Sequence, residues 1–169
     1  MRNKEDLPEK EIQLVSFKLG RETFAVYVNK VREIGKVEEI THVPNVPEFV
    51  EGVMGLRGQI TTVINLRRKF RINGGNFDLE QSKIIVADVG ENQIGIIVDS
   101  VQDVIRVSPQ IISPPPDVVL RNVENKFLLG VCKLEDGLVM LLDLDFILNE
   151  DEKDQLGNIK NEEIIKDPT

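Results

Sequence analysis

The sequence predicts an all-β protein built from two five-stranded β-barrels packed side by side. Short β-branched runs are separated by Gly, Asn and Asp, few windows follow a helical period, and the pattern of the first half recurs in the second. With 169 residues the chain can bury about two thirds of its unfolded surface. It therefore needs neither a disulfide framework nor a structural metal to fold.

Strands are predicted where apolar side chains alternate or run together between turn signals. In chain order the candidates are Ile12–Leu19, Thr23–Val28, Arg32–Val37, Val50–Leu56, Gln59–Leu66, Lys83–Val89, Gln93–Val98, Val104–Val107, Leu128–Leu134 and Leu138–Leu144. Residues that tolerate a positive φ, such as Gly20 and Gly58, separate several of these runs and predict hairpins. We expect short helical turns at residues 28–31, 98–101 and 145–149, and a short C-terminal helix near residues 158–166.

An internal repeat relates the two halves of the chain. A shift of 70 residues places Val31 on Val101, with small, apolar and acidic positions coinciding around them. Further along, a shift of 78 places Gly52 on Gly130, because the second copy carries an insertion around its Pro-rich segment. Each copy is too small to bury much apolar surface alone. We therefore expect one barrel from each copy, with a shared seam between them.

The repeat and the charge pattern set the predicted domain boundaries. The boundaries are a flexible tail at 1–11, one domain at 12–149 with subdomains 12–72 and 82–149, and an acidic tail at 150–169. The net charge is −8, and it is concentrated in the C-terminal tail. Because no basic face is left, the sequence argues against a general nucleic-acid binder. It also has no signal-peptide pattern and no run of about 18 apolar residues, so we expect a cytoplasmic protein with no direct membrane insertion.

The reactive residue types are sparse. Cys132 is the single cysteine and stands among apolar residues of a predicted strand, which favours a buried, inert thiol. His42 is the single histidine and lies in a Pro-containing extended segment, which favours a surface loop. We therefore expect no metal site and no cofactor.

Asp99 and Asp143 end two apolar strands and are candidates for a general acid–base pair. Their equivalents in the first copy are Asn29 and Asn65, and an amide cannot transfer the proton. A side chain that caps a strand end or bonds a turn explains all four positions. We expect no catalytic residue, with a small β-barrel hydrolase that uses Asp99 and Asp143 left as an alternative.

The segment Arg67–Arg71 is the one basic cluster, with four cations around Phe70. An oligonucleotide-binding barrel is a further alternative on this basis. A solvated loop that closes the first copy is the favoured interpretation, because no second basic patch extends the cluster.

Two related turns place apolar side chains three residues apart. Val28 and Val31 lead into a strand with Glu33 alongside, and Val98 and Val101 repeat the pattern. Core packing accounts for these residues, but an apolar groove at the seam for a partner helix accounts for them equally well.

Arg57 is an isolated charge at a hairpin tip, between Leu56 and Gly58. Its equivalent in the second copy is Glu135, so the barrel itself does not require a cation there. We expect either an ion pair with Glu33 or a contact with a partner.

The ordered motifs resemble the CheW-like domain family of chemotaxis coupling proteins. The motifs that carry the resemblance are Val31-Arg-Glu33-Ile34, the run from Val43 to Phe70 with Gly52-Val-Met-Gly-Leu-Arg57-Gly58, then Gly95-Ile-Ile-Val-Asp99-Ser-Val101, Gln110-Ile111-x-x-Pro114-x-Pro116 and Gly130 to Leu144. They span about 140 of the 169 residues. Gly55 and Asn65 depart from the family's usual residues.

The resemblance implies two Src-homology-3-like (SH3-like) barrels with no catalytic activity and no cofactor. It implies an adaptor that couples transmembrane chemoreceptors to the histidine kinase CheA, through CheA's regulatory domain, at membrane-associated receptor clusters. A CheW-like scaffold of a non-flagellar pathway is the nearest alternative. The residues expected to bind the receptor helical tip are Val28, Val31, Glu33, Gly52, Arg57, Gly58, Val98 and Val101; those expected to bind the kinase are Ile111, Pro114 and Val118.

Overall fold

The computed structural model describes residues 10–73, 77–116, 126–149 and 151–154. The strands are β1 (Ile12–Leu19), β2 (Glu22–Tyr27), β3 (Val31–Lys36), β4 (Val50–Leu56), β5 (Gln59–Asn65), β6 (Lys83–Val89), β7 (Asn92–Val98), β8 (Ser100–Val107), β9 (Ile112–Ser113), β10 (Leu128–Leu134) and β11 (Gly137–Leu142). Among the described residues, a short helix, α1 (Leu66–Lys69), follows β5, and a helical turn covers residues 151–154. The 3-10 turns lie at Val28–Lys30, Pro109–Ile111 and Leu144–Phe146. The all-β prediction is confirmed.

The strands form two sheets, each the sheet of one SH3-like barrel. The six-stranded sheet has the order β8-β1-β2-β11-β10-β9, and the five-stranded sheet has the order β3-β6-β7-β5-β4. Each sheet therefore takes strands from both sequence copies. The expectation that 12–72 and 82–149 each form one barrel is wrong. Strands β1 and β2 of the first copy join the second copy's barrel, and β6 and β7 make the reciprocal exchange.

The exchange preserves the internal symmetry. Strand β2 pairs parallel with β11, with Phe24 opposite Met140, and β7 pairs parallel with β5, with Ile94 opposite Thr62. These two pairs are related by the shifts of 70 and 78, so both junctions have the same register. The duplication predicted from the sequence is thus present in the hydrogen bonding, with the copies intertwined.

Most apolar side chains share one core between the two sheets. The central residues of strands β1, β2, β6 and β7 are buried on both faces, and most of these residues are apolar. One face of each sheet contributes to what we call the interbarrel core, which includes Phe17, Phe24, Ile85, Ile94 and Ile96. Each opposite face lines a smaller cluster inside its own barrel. Because the largest cluster is shared, neither barrel has a sufficient core without the other.

The predicted helical turns have mixed outcomes. The turn expected at 28–31 is confirmed as the 3-10 turn Val28–Lys30, and the one expected at 145–149 is displaced to Leu144–Phe146. The turn expected at 98–101 is wrong, because β8 already begins at Ser100, four residues before the predicted start of that strand. The helix expected near 158–166 lies outside the described residues. Within the described segments, no helix is both long and apolar enough to cross a bilayer.

Candidate docking surface

The 3-10 turn Val28–Lys30 places two candidate residues at the junction of the barrels. The turn contacts β1 of one sheet and β6 of the other. Val28 and Val31 are half-buried and pack against the edge of the interbarrel core. Part of each side chain therefore remains available at the surface, and Ile34, on the same strand as Val31, is also exposed.

The second copy presents this pattern only in part. Val101 is half-buried against the same core and pairs with Phe17 of β1. Val98 is fully buried, with no exposed area, so its expected place in an open groove is wrong. Val98 closes β7 and packs into the interbarrel core, because this position of the strand faces the other sheet.

Arg57 and Glu33 form an ion pair on the surface of the five-stranded sheet. The Arg57 Nε lies 3.1 Å from Glu33 Oε2, with the arginine side chain 81% exposed and the glutamate 30%. Arg57 and Gly58 have φ values of 51° and 80°, as a two-residue hairpin with a primed turn requires. The hairpin β4–β5 thus holds a cation over the edge strand β3. The predicted ion pair is confirmed.

Gly52 has a structural reason to be glycine. Its φ is 148°, and a Cβ at this position would lie 2.1 Å from the Thr41 carbonyl oxygen. The backbone amide of Thr41 donates to the Val53 carbonyl at 2.7 Å, and the Val53 amide donates to the Thr41 carbonyl at 2.9 Å. This pair of bonds joins the segment that follows β3 to β4. Gly130 repeats the arrangement, with a Cβ position 2.7 Å from the Ser113 carbonyl oxygen. Both glycines therefore close a barrel.

The expected kinase-binding residues lie on the other barrel. Ile111 is 38% exposed and ends the 3-10 turn that Ser108 caps. Pro114 is exposed just after β9. Val118 lies outside the described residues. The two described residues are thus on the six-stranded side, away from the Arg57 hairpin on the five-stranded side.

The possible catalytic residues have structural roles. Asn65 accepts a hydrogen bond from the Arg68 amide, and Asp143 accepts one from the Asp145 amide, so the predicted capping is confirmed for both. Cys132 is fully buried, and burial raises the pKa of its thiol, while His42 is exposed in a loop. Both expectations are confirmed. Over the described ranges, no cluster of His, Cys, Asp and Glu is suited to hold a metal ion.

The sequence interpretation missed the role of Arg67. It is buried in α1 and donates to Asp99 at 2.6 Å, so the prediction of a solvated loop is wrong for this residue. A second ion pair at the barrel junction joins Lys30 to Asp145 at 3.2 Å. The two pairs occupy nearly equivalent places in the repeat, since the shift of 78 places Arg67 on Asp145 and the shift of 70 places Asp99 on Asn29, next to Lys30.

Comparisons with known proteins agree with this geometry. A family model described as the CheW-like domain matches residues 13–152. The chain belongs to the CheW-like domain family. Within the family, it is 32% identical over 147 residues to the chemotaxis protein CheW of Klebsiella aerogenes, covering 87% of each chain. It is 34% identical to the chemotaxis protein CheW of Thermotoga maritima, covering 83% of this chain and 90% of that one.

A solved structure of the family has the same fold. The crystal structure of the scaffolding protein TtCheW from Thermoanaerobacter tengcongensis aligns with a TM-score of 0.77 at 32% identity. The alignment covers 87% of this chain and 99% of that chain. The two intertwined barrels are therefore the architecture of a CheW-like scaffold.

Proposed function

We propose that this protein is a non-catalytic chemotaxis scaffold that couples transmembrane chemoreceptors to the histidine kinase CheA. The observation that carries the proposal is the exposed Arg57–Glu33 pair beside the half-buried Val31, at the edge of a shared core. The family membership and the names of the relatives support it. The protein would be recruited from the cytoplasm to membrane-associated receptor clusters.

The receptor surface combines an apolar strip with a charged border. Val28, Val31 and Val101 are half-buried around the interbarrel core, and they offer partial apolar area to a helix. Glu33 and Arg57 add charges of both signs, which fix the register of a helix, and reversing either charge would place like charges against the partner at a cost in affinity. An amphipathic helical hairpin tip has the chemistry that this surface fits.

The kinase surface is assigned to Ile111 and Pro114 on the opposite barrel. Exposed apolar residues on a rigid turn present a small patch suited to another barrel. Because both barrels share one core, they move as one body under this proposal. A receptor on one face and a kinase on the other would then be held at a defined distance, so that small receptor motions change kinase activity.

The alternatives have less support. Of the cations proposed for an oligonucleotide surface, Arg67 bonds Asp99 and Arg68 lies 3.2 Å from Glu51. The hydrolase alternative requires Asp99 and Asp143 as a proton-transfer pair, but Asp99 bonds the Gly20 amide and Asp143 caps a turn. A non-flagellar chemosensory scaffold uses the same surfaces and differs only in the pathway it serves.

The test is a pair of titrations with crossed variants. The full chain is titrated by calorimetry against the regulatory domain of a cognate CheA and, separately, against a receptor cytoplasmic fragment. We expect Arg57→Glu to weaken receptor binding at least about tenfold and Ile111→Asp to weaken kinase binding by a similar factor, each leaving the other partner unchanged. Each variant thus serves as the control for the other.

Two outcomes would overturn the proposal. A folded wild-type chain that binds neither partner would remove the scaffold function. Variants that each weaken both partners equally would remove the assignment of two separate surfaces. Thermal melts of the variants establish that each remains folded.

A further inference from the structure

A cavity lies where the two sequence copies meet, around α1 and the 3-10 turn Leu144–Phe146. Its volume is about 530 Å³. Residues of its lining are related by the internal repeat with a shift of 78. The related lining pairs are Glu48 with Lys126, Phe49 with Phe127, and Arg68 with Phe146. Equivalent positions of the two copies therefore line the cavity. None of these residues belongs to the proposed receptor or kinase surfaces.

The cavity has an aromatic floor. Phe49 is buried, and Phe127 stacks on Phe70 with ring centroids 4.4 Å apart. Phe146, in the 3-10 turn Leu144–Phe146, is 57% exposed at the rim, although most apolar residues of the preceding strand β11 are buried. The symmetry-related position holds Arg68, so the fold itself does not require an aromatic side chain there.

The helical turn at 151–154 forms one wall of the cavity. Asn149 and Glu152 cap each other reciprocally, at 2.8 and 2.7 Å, and Lys69 lies 2.5 Å from Glu152. The same lysine stands 4.6 Å from the centroid of the Phe49 ring. These contacts hold the wall against α1, so the cavity is a formed concavity.

The charge of the lining is opposite to that of the protein. Among the described residues, five cations and two carboxylates line the cavity, whereas the whole chain carries −8. The cations are Arg68, Lys69, Arg71, Lys126 and Lys153, and the carboxylates are Glu48 and Glu152. Lys69 is paired with Glu152, and Arg68 is paired with Glu51, which lies outside the described lining. The positive charges around the floor attract the carboxylates of a partner. The aromatic floor itself accepts an apolar side chain that lies between those carboxylates.

We propose that this basic, aromatic cavity binds an acidic segment of a partner protein that inserts an apolar anchor side chain. The concave shape favours a peptide over a lipid surface, because the floor includes the buried Phe49, which a flat membrane surface would not reach. The volume falls in the range of about 300–1,000 Å³ that encloses a compact ligand group. The site is a third docking surface, and it goes beyond the scaffold function proposed above.

The experiment uses the full chain and a fluorescein-labelled peptide of about twelve residues, rich in Glu and Asp around a central Phe-Leu pair. A second peptide has Gln in place of every acidic residue. By fluorescence anisotropy, we expect saturable binding of the acidic peptide and at least about tenfold weaker binding of the Gln peptide. Binding of the acidic peptide should also weaken as salt is raised from about 0.05 to 0.5 M.

Variants locate the binding on the cavity. We expect the double variant Arg71→Glu, Lys126→Glu to weaken acidic-peptide binding at least about tenfold, and Phe146→Ala to weaken it several-fold. Lys133→Glu is the control for a charge reversal outside the cavity, since Lys133 is an exposed cation on β10. It should change the affinity less than about twofold. Thermal melts of all variants check the fold.

Three results would overturn the proposal. The first is no saturable binding of the acidic peptide by the folded wild-type chain at millimolar concentration. The second is equal weakening by Lys133→Glu and by the cavity variant. The third is co-sedimentation with vesicles containing about half phosphatidylserine without peptide binding, which would assign the cations to a membrane surface instead.

Discussion

Arg67, in the helix α1 that follows β5, forms a buried ion pair with Asp99, which follows the parallel neighbouring strand β7. The guanidinium Nη1 donates to Asp99 Oδ2 at 2.6 Å, and the two side chains are only 9% and 14% exposed. The same oxygen accepts a hydrogen bond from the Gly20 amide at 2.7 Å, in the β1–β2 turn of the other sheet. The carboxylate therefore joins two strands of one barrel and also joins that barrel to the second.

Lys30, Asp145 and Gly90 repeat this arrangement on the six-stranded sheet. Lys30 follows β2, Asp145 follows the parallel strand β11, and the amide of Gly90 in the β6–β7 turn donates to Asp145 Oδ1 at 3.1 Å. In both places the first copy supplies the cation and the second copy the carboxylate. The two contacts hold the intertwined copies in one relative position, which the proposed scaffold mechanism requires.

Removing the Arg67 cation should destabilise the protein strongly. Arg67→Met leaves the Asp99 carboxylate buried without its cation, and Asp99 Oδ1 already has no hydrogen-bond partner among the described residues. We expect a loss of about 3–5 kcal/mol in the free energy of unfolding, measured by urea denaturation. Asp99→Asn should restore part of that loss in the double variant, because it removes the unpaired charge.

Arg21→Met is the matched control for this measurement, since Arg21 is exposed in the β1–β2 turn. It should change the free energy of unfolding by less than about 0.5 kcal/mol. A single Arg67→Met variant as stable as this control would contradict a structural role for the Arg67–Asp99 pair.

Asp145 should make a small, pH-dependent contribution to stability. The hydrogen bond from the Gly90 amide lowers the pKa of this carboxyl, and Lys30 lowers it further, against a smaller opposing effect of burial. Because the folded pKa is below the unfolded one, the stabilisation is present above the unfolded pKa. It is lost as the pH falls through the folded value.

The variant Asp145→Asn should therefore be less stable than the wild type at pH 7. The difference should stay below about 1 kcal/mol, because the Asp145 side chain is 42% exposed and solvent screens the pair. It should shrink as the pH is lowered below about 4, where the unfolded carboxyl is protonated. Urea denaturation across this pH range measures it, and a difference that grows on acidification would have the wrong sign.

The sequence predicted the strands better than their partners. The bounds of β1, β4, β6 and β10 match the predicted ones to the residue, because apolar alternation and turn residues define them locally. The exchange of strands between copies was missed because β1 and β6 are equivalent in the repeat. By sequence pattern alone, β8 could pair equally well with β1 or with β6. Alternation specifies which face of a strand is buried, and it does not specify the neighbouring strand.

The candidate site was predicted in part for a similar reason. The motif places Val31, Glu33 and Arg57 near one another, and the ion pair between Glu33 and Arg57 follows from their opposite charges. Val98 was misplaced because an apolar residue at the end of a strand has the same pattern whether it lines a rim or fills a core. Only the position of the second sheet distinguishes the two cases.

Gly52 should be required for the stability of the fold, independently of any role in coupling the receptor to the kinase. In Gly52→Ala the new methyl group meets the Thr41 carbonyl oxygen, and the backbone φ of 148° disfavours any side chain. We expect a loss of about 3 kcal/mol or more in the free energy of unfolding. Gly55→Ala is the control, since its Cβ position has no atom within 4 Å. Equal stability of the two variants would show that the close approach at Gly52 relaxes at little cost.

Reversing both charges of the Arg57–Glu33 pair distinguishes a structural ion pair from a partner contact. The pair is mostly exposed, so the single variants Arg57→Glu and Glu33→Arg should each change the free energy of unfolding by less than about 1 kcal/mol. The double variant Arg57→Glu, Glu33→Arg restores opposite charges at the same distance. If Arg57 itself contacts the receptor helix, receptor-fragment binding stays at least about tenfold weakened in the double variant, because the cation is now on β3 and not on the hairpin. If the pair only orders the hairpin tip, the double variant recovers wild-type affinity in the same calorimetric titration, which would remove Arg57 from the proposed contact surface.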